Sequence, residues 1–327
     1  MHAHLSGSVR DSTVQELIEL NNITSKYPSA DERDLEKCFV CFSILHQIFN
    51  SKEILARITK EIFEDFYADN VVYLELRTTP RDIIDKQTNQ IICSKQDYIE
   101  TVLKVIEEFE SNHDMVIRLI LSVDRTKPMK DNIESIELCK KYKQETKYVV
   151  GVDFSGHPNV NSFKDLENLF DLCRKYDLKT TVHIAETWQD MDVDFILKSI
   201  IPNRLGHSVC LTNDHIEYLL NNPIPIEICP SSNLMTKCVD QIDNHIFNDF
   251  YTKSNQNYPL TICTDDFGIL NTSLSNEYHL ISTTFNLDLQ RMFQLSLKSI
   301  DNIFDSSNET KNFLNRKFEQ FKLENNL

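Results

Sequence analysis

Glycine is scarce in this chain: 327 residues contain only five, where average usage of about 7% would give roughly four times as many. So few glycines stand where a backbone must turn sharply or approach a ligand. All five lie within three residues of a histidine or an acid, Gly7, Gly156, Gly206 and Gly268 among them. Long hydrophobic runs are also missing. No stretch nears the ~18 apolar residues of a membrane helix, and Met1-His2-Ala3-His4-Leu5 lacks the charged-then-apolar layout of a signal peptide. No run of Lys or Arg exceeds a pair and the formal net charge is −16, which argues against a grip on DNA or RNA through phosphates. A small anion would have to be held by local basic residues or helix N-termini, against long-range repulsion. The nine cysteines are scattered, and Cys38 and Cys41 have no second CxxC to complete a structural zinc site. Free thiols fit a reducing compartment, so a cytoplasmic monomer with no membrane and no nucleic-acid partner is expected.

Short β-branched or aromatic runs alternate with helical patterns throughout. The spacing predicts strands at Val71–Leu76, Val116–Val123, Tyr148–Phe154, Lys179–Ile184, Arg204–His207, Ile224–Ile228 and Leu260–Cys263, with a stub at His2–Leu5. Amphipathic segments at Lys95–Asn112, Asp131–Glu145, Phe163–Tyr176 and Asp190–Ile200 fall between them. Alternation implies βαβ units and a parallel sheet, and a count of eight favours an α/β fold of the (β/α)8 TIM-barrel type over an open sheet. Residues 34–69 form an extra helical block and residues 273–323 a helical tail, all within a single domain, 1–327. The first strand is nearly absent: either it is very short or the chain begins upstream of Met1.

His2 and His4 are two apart, so on an extended strand both imidazoles face one side. An HxH pair is common by chance and reads equally well as an exposed pair. However, His183, His207 and the pair Asp265–Asp266 each fall at the C-terminal end of a separate predicted strand, the face where barrel enzymes gather their catalytic groups. Three neutral imidazoles and a carboxylate suit a single zinc ion per chain. Glu186, three residues after His183, reads as a solvated helix-opening acid or as a buried proton carrier beside the metal. The fourth strand ends Val152-Asp153-Phe154-Ser155-Gly156 without a lysine that could bridge two ions.

The segments His2-Ala3-His4-Leu5-Ser6-Gly7-Ser8, Ser155-Gly156, His183-Ile184-Ala185-Glu186, Arg204-Leu205-Gly206-His207 and Thr264-Asp265-Asp266 resemble, in order and spacing, the adenosine deaminase family over essentially the whole chain. Leu74–Arg81 and Ser122-Val123-Asp124-Arg125 look like its adenosine deaminase-like branch, whose members act on N6-methyl-AMP and related nucleotides. The resemblance implies His2, His4, His183 and Asp265 as zinc ligands and Glu186, His207 and Asp265 as catalytic groups. It also implies that Gly156 N–H meets purine N3, that Asp266 holds N7, and that His4 borders the substrate. The unrelated cytosine deaminases carry HxE and PCxxC signatures; Cys229-Pro230-Ser231-Ser232 has no second cysteine in place.

For the ribose-phosphate end the resemblance is looser. Ser6 stands where adenosine deaminases have aspartate and the N6-methyl-AMP branch usually has asparagine; being neutral, it removes a repulsion to phosphate and can donate a hydrogen bond. Thr78, Thr79, Pro80 and Arg81 are expected to form a phosphate-facing loop, with His46 and Asp124 nearby, although Arg81 also reads as a solvated loop arginine and Arg77 as half of a barrel ion pair. The leading expectation is hydrolytic deamination of N6-methyl-AMP and related N6-substituted purine nucleoside monophosphates to IMP and an amine. The alternatives are a deaminase of free adenosine and a catalytically weak nucleoside-binding relative.

Overall fold

A computed structural model describes residues 1–85 and 88–327. Among the described residues there are ten strands: β1 Ala3–His4, β2 Tyr73–Thr78, β3 Ile83–Ile84, β4 Ile91–Cys93, β5 Val116–Asp124, β6 Val149–Ser155, β7 Lys179–Ile184, β8 Arg204–His207, β9 Ile226–Ile228 and β10 Leu260–Ile262. Eight of them pair in parallel in the order β1-β2-β5-β6-β7-β8-β9-β10. The seam is closed by one bridge, Ala3 to Asp265, in which Asp265 N–H donates to His2 O at 2.9 Å and His4 N–H to Asp265 O at 3.2 Å. The two-residue β1 is therefore held on both sides. The barrel thus closes on the residues expected to carry chemistry.

Alternation sorts the strand residues. Leu74, Leu76, Val152, Phe154, Val182 and Ile184 are buried in the apolar core shared with the surrounding helices, where Phe154 stacks on Phe170 at 3.8 Å between centroids. The alternate set, Glu75, Arg77, Asp153, Thr181 and Glu227, is also buried and fills the barrel interior with ion pairs. Arg77 lies 2.9 Å from both Asp153 and Glu227. Arg204 lies 2.7 Å from Glu227 and 2.6 Å from Glu75, its guanidinium over Phe304.

The helical block at 34–69 is two helices, Leu35–Ile48 and Lys52–Ala68, because Asp34 and Ser51 each accept from a backbone N–H in the first turn and restart the chain. A further helix, Asp11–Leu20, and the antiparallel pair β3–β4 were not anticipated. The expected helix Asp190–Ile200 is only a turn, Val193–Phe195, followed by the π-helical Ile196–Ile200. Asp192, instead of continuing a helix, accepts from Phe163 N–H at 2.7 Å and from Ser162 Oγ. The tail forms Leu274–Thr284, Leu289–Lys298 and Asn308–Asn325. Among the described residues no helix is long and apolar enough to cross a membrane.

Candidate functional site

His2 and His4 flank Ala3 on β1, His183 sits near the end of β7, and Asp265 follows β10 at the seam. Their side chains converge: His4 Nε2 is 3.3 Å from His2 Nε2 and 3.1 Å from His183 Nε2. Asp265 Oδ1 is 3.2 Å from His2 Nε2 and 3.3 Å from His4 Nε2. Four donors on a tetrahedron about 2.0–2.1 Å from its centre stand roughly 3.3 Å apart. The outer nitrogens are already committed, His2 Nδ1 to Glu227 Oε2 at 2.7 Å and His183 Nδ1 to Asp153 Oδ1 at 3.0 Å and Phe154 O at 3.2 Å. Donation outward leaves a bare lone pair on each inner Nε2. Lone pairs and a carboxylate crowded together in a buried site repel unless a cation lies among them, so the donor set fits a metal ion.

Ala185 (φ 51°), His207 (φ 57°) and Asp265 (φ 57°) all adopt left-handed backbone, a conformation costing of order 1–3 kcal/mol at a non-glycine residue. Each lies at or just after the end of its strand, beside the site. Glu186 Oε1 comes within 3.7 Å of His207 Nε2, which is 3.9 Å from Asp265 Oδ2. Burial, the largest cause, against the opposing pull of His183 and with a smaller push from Asp265, raises the Glu186 carboxyl to about 7. Burial, then Asp265 and Glu186, also raises Asp266 well above the carboxylate range, and its Oδ1 is buried without a partner.

Two glycines make room. A Cβ at Gly7 would lie 1.7 Å from Asp266 Oδ1. Gly156 has φ +106°, and a Cβ there would come within 2.3 Å of Asp124 Oδ1.

One cavity of about 800 Å³ receives His4, His183, Glu186, His207, Asp265 and Asp266 at its floor, while His2 is fully buried behind them. Ser6, His46, Thr78, Thr79, Pro80, Arg81, Asp124 and Gly156 line the same cavity, so every site residue expected from the sequence comes to one place. Arg81 is held over the rings of Phe49 and Tyr98, at 5.1 and 6.0 Å. Its Nη2 is buried without a hydrogen-bond partner, and burial lowers its pKa. Desolvation and then the charges of Arg81 and Lys127 lower the pKa of His46. Two expected contacts are partly spent: Thr78 Oγ1 bonds Tyr98 OH at 2.8 Å, and Asp124 Oδ1 accepts from Thr126 N–H and Oγ1 at 2.8 and 2.7 Å.

Several participants escaped the sequence reading. Glu227 and Asp153 orient the histidines, and the only signal was a lone acid inside an apolar strand run, Ile226-Glu227-Ile228 and Val152-Asp153-Phe154. Lys127 and Thr126 reach the cavity from the loop after β5 and carried no signal at all. Ser232 Oγ donates to Asp265 Oδ2 at 2.6 Å, and Asn233 Nδ2 donates to His207 Nδ1 at 3.2 Å. Both belong to the Cys229-Pro230 segment, which had been read only for its missing cysteine.

The "Adenosine deaminase" family profile matches residues 1–319. The human N6-Methyl-AMP deaminase is 33% identical over 98% of this chain and 92% of its own length. The Arabidopsis thaliana N6-mAMP deaminase is 34% identical over 93% of this chain and 91% of its own. The solved structure of Arabidopsis ADAL complexed with IMP superposes with a TM-score of 0.88 at 33% identity, over 99% of this chain and 96% of that one. The likeness thus runs along the whole length, and the chain belongs to the adenosine deaminase family of aminohydrolases.

Proposed function

We propose that the chain is a zinc-dependent deaminase of N6-methyl-AMP and related N6-substituted purine nucleoside monophosphates, yielding IMP and an amine. The observation that carries the substrate class is Arg81. A guanidinium whose Nη2 is buried and unpartnered, in the same cavity as the metal-binding cluster, is costly to hold unless an anion completes it. Lys127 and His46 add donors beside it, and Ser6 carries no charge against phosphate. Relatives named N6-methyl-AMP deaminase and a neighbour solved with IMP support the same assignment.

His2, His4, His183 and Asp265 would hold the zinc ion. Bound there, zinc supplies Lewis acidity that brings the pKa of a coordinated water toward about 7. The chain's own groups do the rest. Glu186, near half-protonated at neutral pH, donates its proton to purine N1 as water adds at C6. Asp265 turns Oδ1 to the histidines and leaves Oδ2 toward Ser232 and His207, positioned to accept the proton that water loses. The tetrahedral C6 then expels the amine, which departs carrying that proton, while the C6 hydroxyl returns its own proton to the Glu186 carboxylate and C6 becomes a carbonyl. Asp266, protonated in its buried place, donates to N7, and Gly156 lets the backbone approach N3. A reducing compartment belongs to this reading, supported by nine cysteines with no disulfide among the described residues.

The deciding experiment compares kcat/KM of zinc-loaded protein on adenosine, AMP and N6-methyl-AMP. The expected order places N6-methyl-AMP first and adenosine last. A preference for adenosine overturns the nucleotide assignment.

A further inference from the structure

Phe247 N–H donates to His245 Nδ1 at 3.1 Å. A backbone amide can only donate, so that nitrogen carries a lone pair. His245 is 1% exposed, and burial alone lowers its pKa to about 4; the neutral ring therefore bears its proton on Nε2. His245 Nε2 faces Asn233 Oδ1 at 3.1 Å, which fixes the amide with its oxygen toward His245 and its NH2 toward His207. Asn233 Nδ2 reaches His207 Nδ1 at 3.2 Å, so His207 accepts on Nδ1. Asn233 and His207 are themselves buried, and one backbone donor sets the direction of every hydrogen bond in the series.

We propose that Asn233 and His245 are positioning residues that hold His207 as the tautomer protonated on Nε2. That nitrogen points between Glu186 Oε1 and Asp265 Oδ2. His207 is then a hydrogen-bond donor to the reacting centre, neither a base nor a metal ligand through Nε2. The left-handed backbone at His207 aims the ring, and Asn233 decides which nitrogen holds the proton. The inference rests on the deaminase reading only for the reaction it serves.

The test uses zinc-loaded protein labelled with 15N-histidine and a long-range 1H–15N spectrum, with His207 assigned by its disappearance in His207→Gln. The expected parent spectrum shows His207 with a protonated Nε2 and a bare Nδ1. A protonated Nδ1, or an Nε2 without its proton, overturns the proposal whether or not the protein deaminates purines. Asn233→Asp keeps the shape but offers only acceptors. In that variant Nδ1 of His207 is expected to become protonated, and kcat to fall on the order of 10²–10⁴-fold with KM and zinc content nearly unchanged. An unchanged kcat there also overturns it. Should the parent spectrum be as expected while no purine is deaminated, the functional reading fails and the positioning role stands.

Discussion

His2 Nδ1 lies 2.7 Å from Glu227 Oε2, a contact between residues 225 apart in sequence. The same carboxylate meets Arg77 at 2.9 Å, Arg204 at 2.7 Å and Thr181 Oγ1 at 3.0 Å. One buried acid therefore sets the tautomer of a metal-site histidine and balances two buried arginines. Arg77 in turn connects it to Asp153, the orienting partner of His183. The interior ion pairs and the metal site are one electrostatic unit.

Glu227→Gln keeps the volume but removes the charge. Leaving two buried arginines short of a counter-ion is expected to cost about 3–5 kcal/mol, and loss of the orienting acceptor to weaken zinc by roughly 10–100-fold. Denaturant unfolding and chelator competition measure the two effects separately. A variant as stable as the parent with unaltered zinc affinity would contradict both roles.

Glu186→Gln is expected to retain full zinc occupancy and lose about 10²–10⁴-fold in turnover, the usual loss on removing a general acid. Zinc content by metal analysis and kcat by product absorbance decide it. Loss of metal would make Glu186 a structural group.

The raised pKa of Glu186 also fixes the sign of a pH dependence. As an acid it works protonated, so kcat/KM should hold below about 7 and fall tenfold per pH unit above it. For stability, a folded pKa raised from 4.5 to about 7 favours the folded state at low pH, and that contribution is lost as pH rises through this window. Stability of Glu186→Gln should lack this component. A parent rate that climbs steadily with pH would exclude Glu186 as the proton donor.

Arg81→Met should separate binding from folding. The guanidinium is stacked on Phe49 and Tyr98 with Nη2 unsatisfied, so an apolar side chain of similar length is expected to leave the ligand-free protein at least as stable. For nucleotides, loss of a buried charged contact should lower kcat/KM on the order of 10²-fold, with little change for adenosine. Equal losses on both substrates would remove Arg81 from the phosphate end.

Most of the fold was legible because a parallel barrel repeats one signal, an apolar β-branched run followed by an amphipathic helix. The β7 and β8 boundaries agree with the sequence reading, and β2 is displaced by two residues at each end. The Asp190–Ile200 segment was misread because its periodicity is helical while Asp192 is spent on the neighbouring loop. The pair β3–β4 is too short to show a period. At the site, His183, His207, Glu186 and Asp265 were readable from their place at strand ends. Lys127 and Asn233 were not, since nothing local separates a cavity lysine or a hydrogen-bonded amide from a surface one.

The sequence by itself determined the alternation that makes a barrel, the residue types that suit one metal ion, and the acid placed to move a proton. Its scarce glycines already marked the backbone positions around the site. Only the tertiary structure decided that His2, beside a two-residue strand, is anchored by the seam bridge at Asp265 and by Glu227. It alone also decided that Arg81 keeps a buried guanidinium nitrogen without a partner and that a backbone N–H governs the proton on His207. Those are relations between distant segments, in which hydrogen-bond direction and desolvation depend on what the fold brings close. Local pattern fixes which groups are available, and burial fixes which protonation state each is obliged to keep.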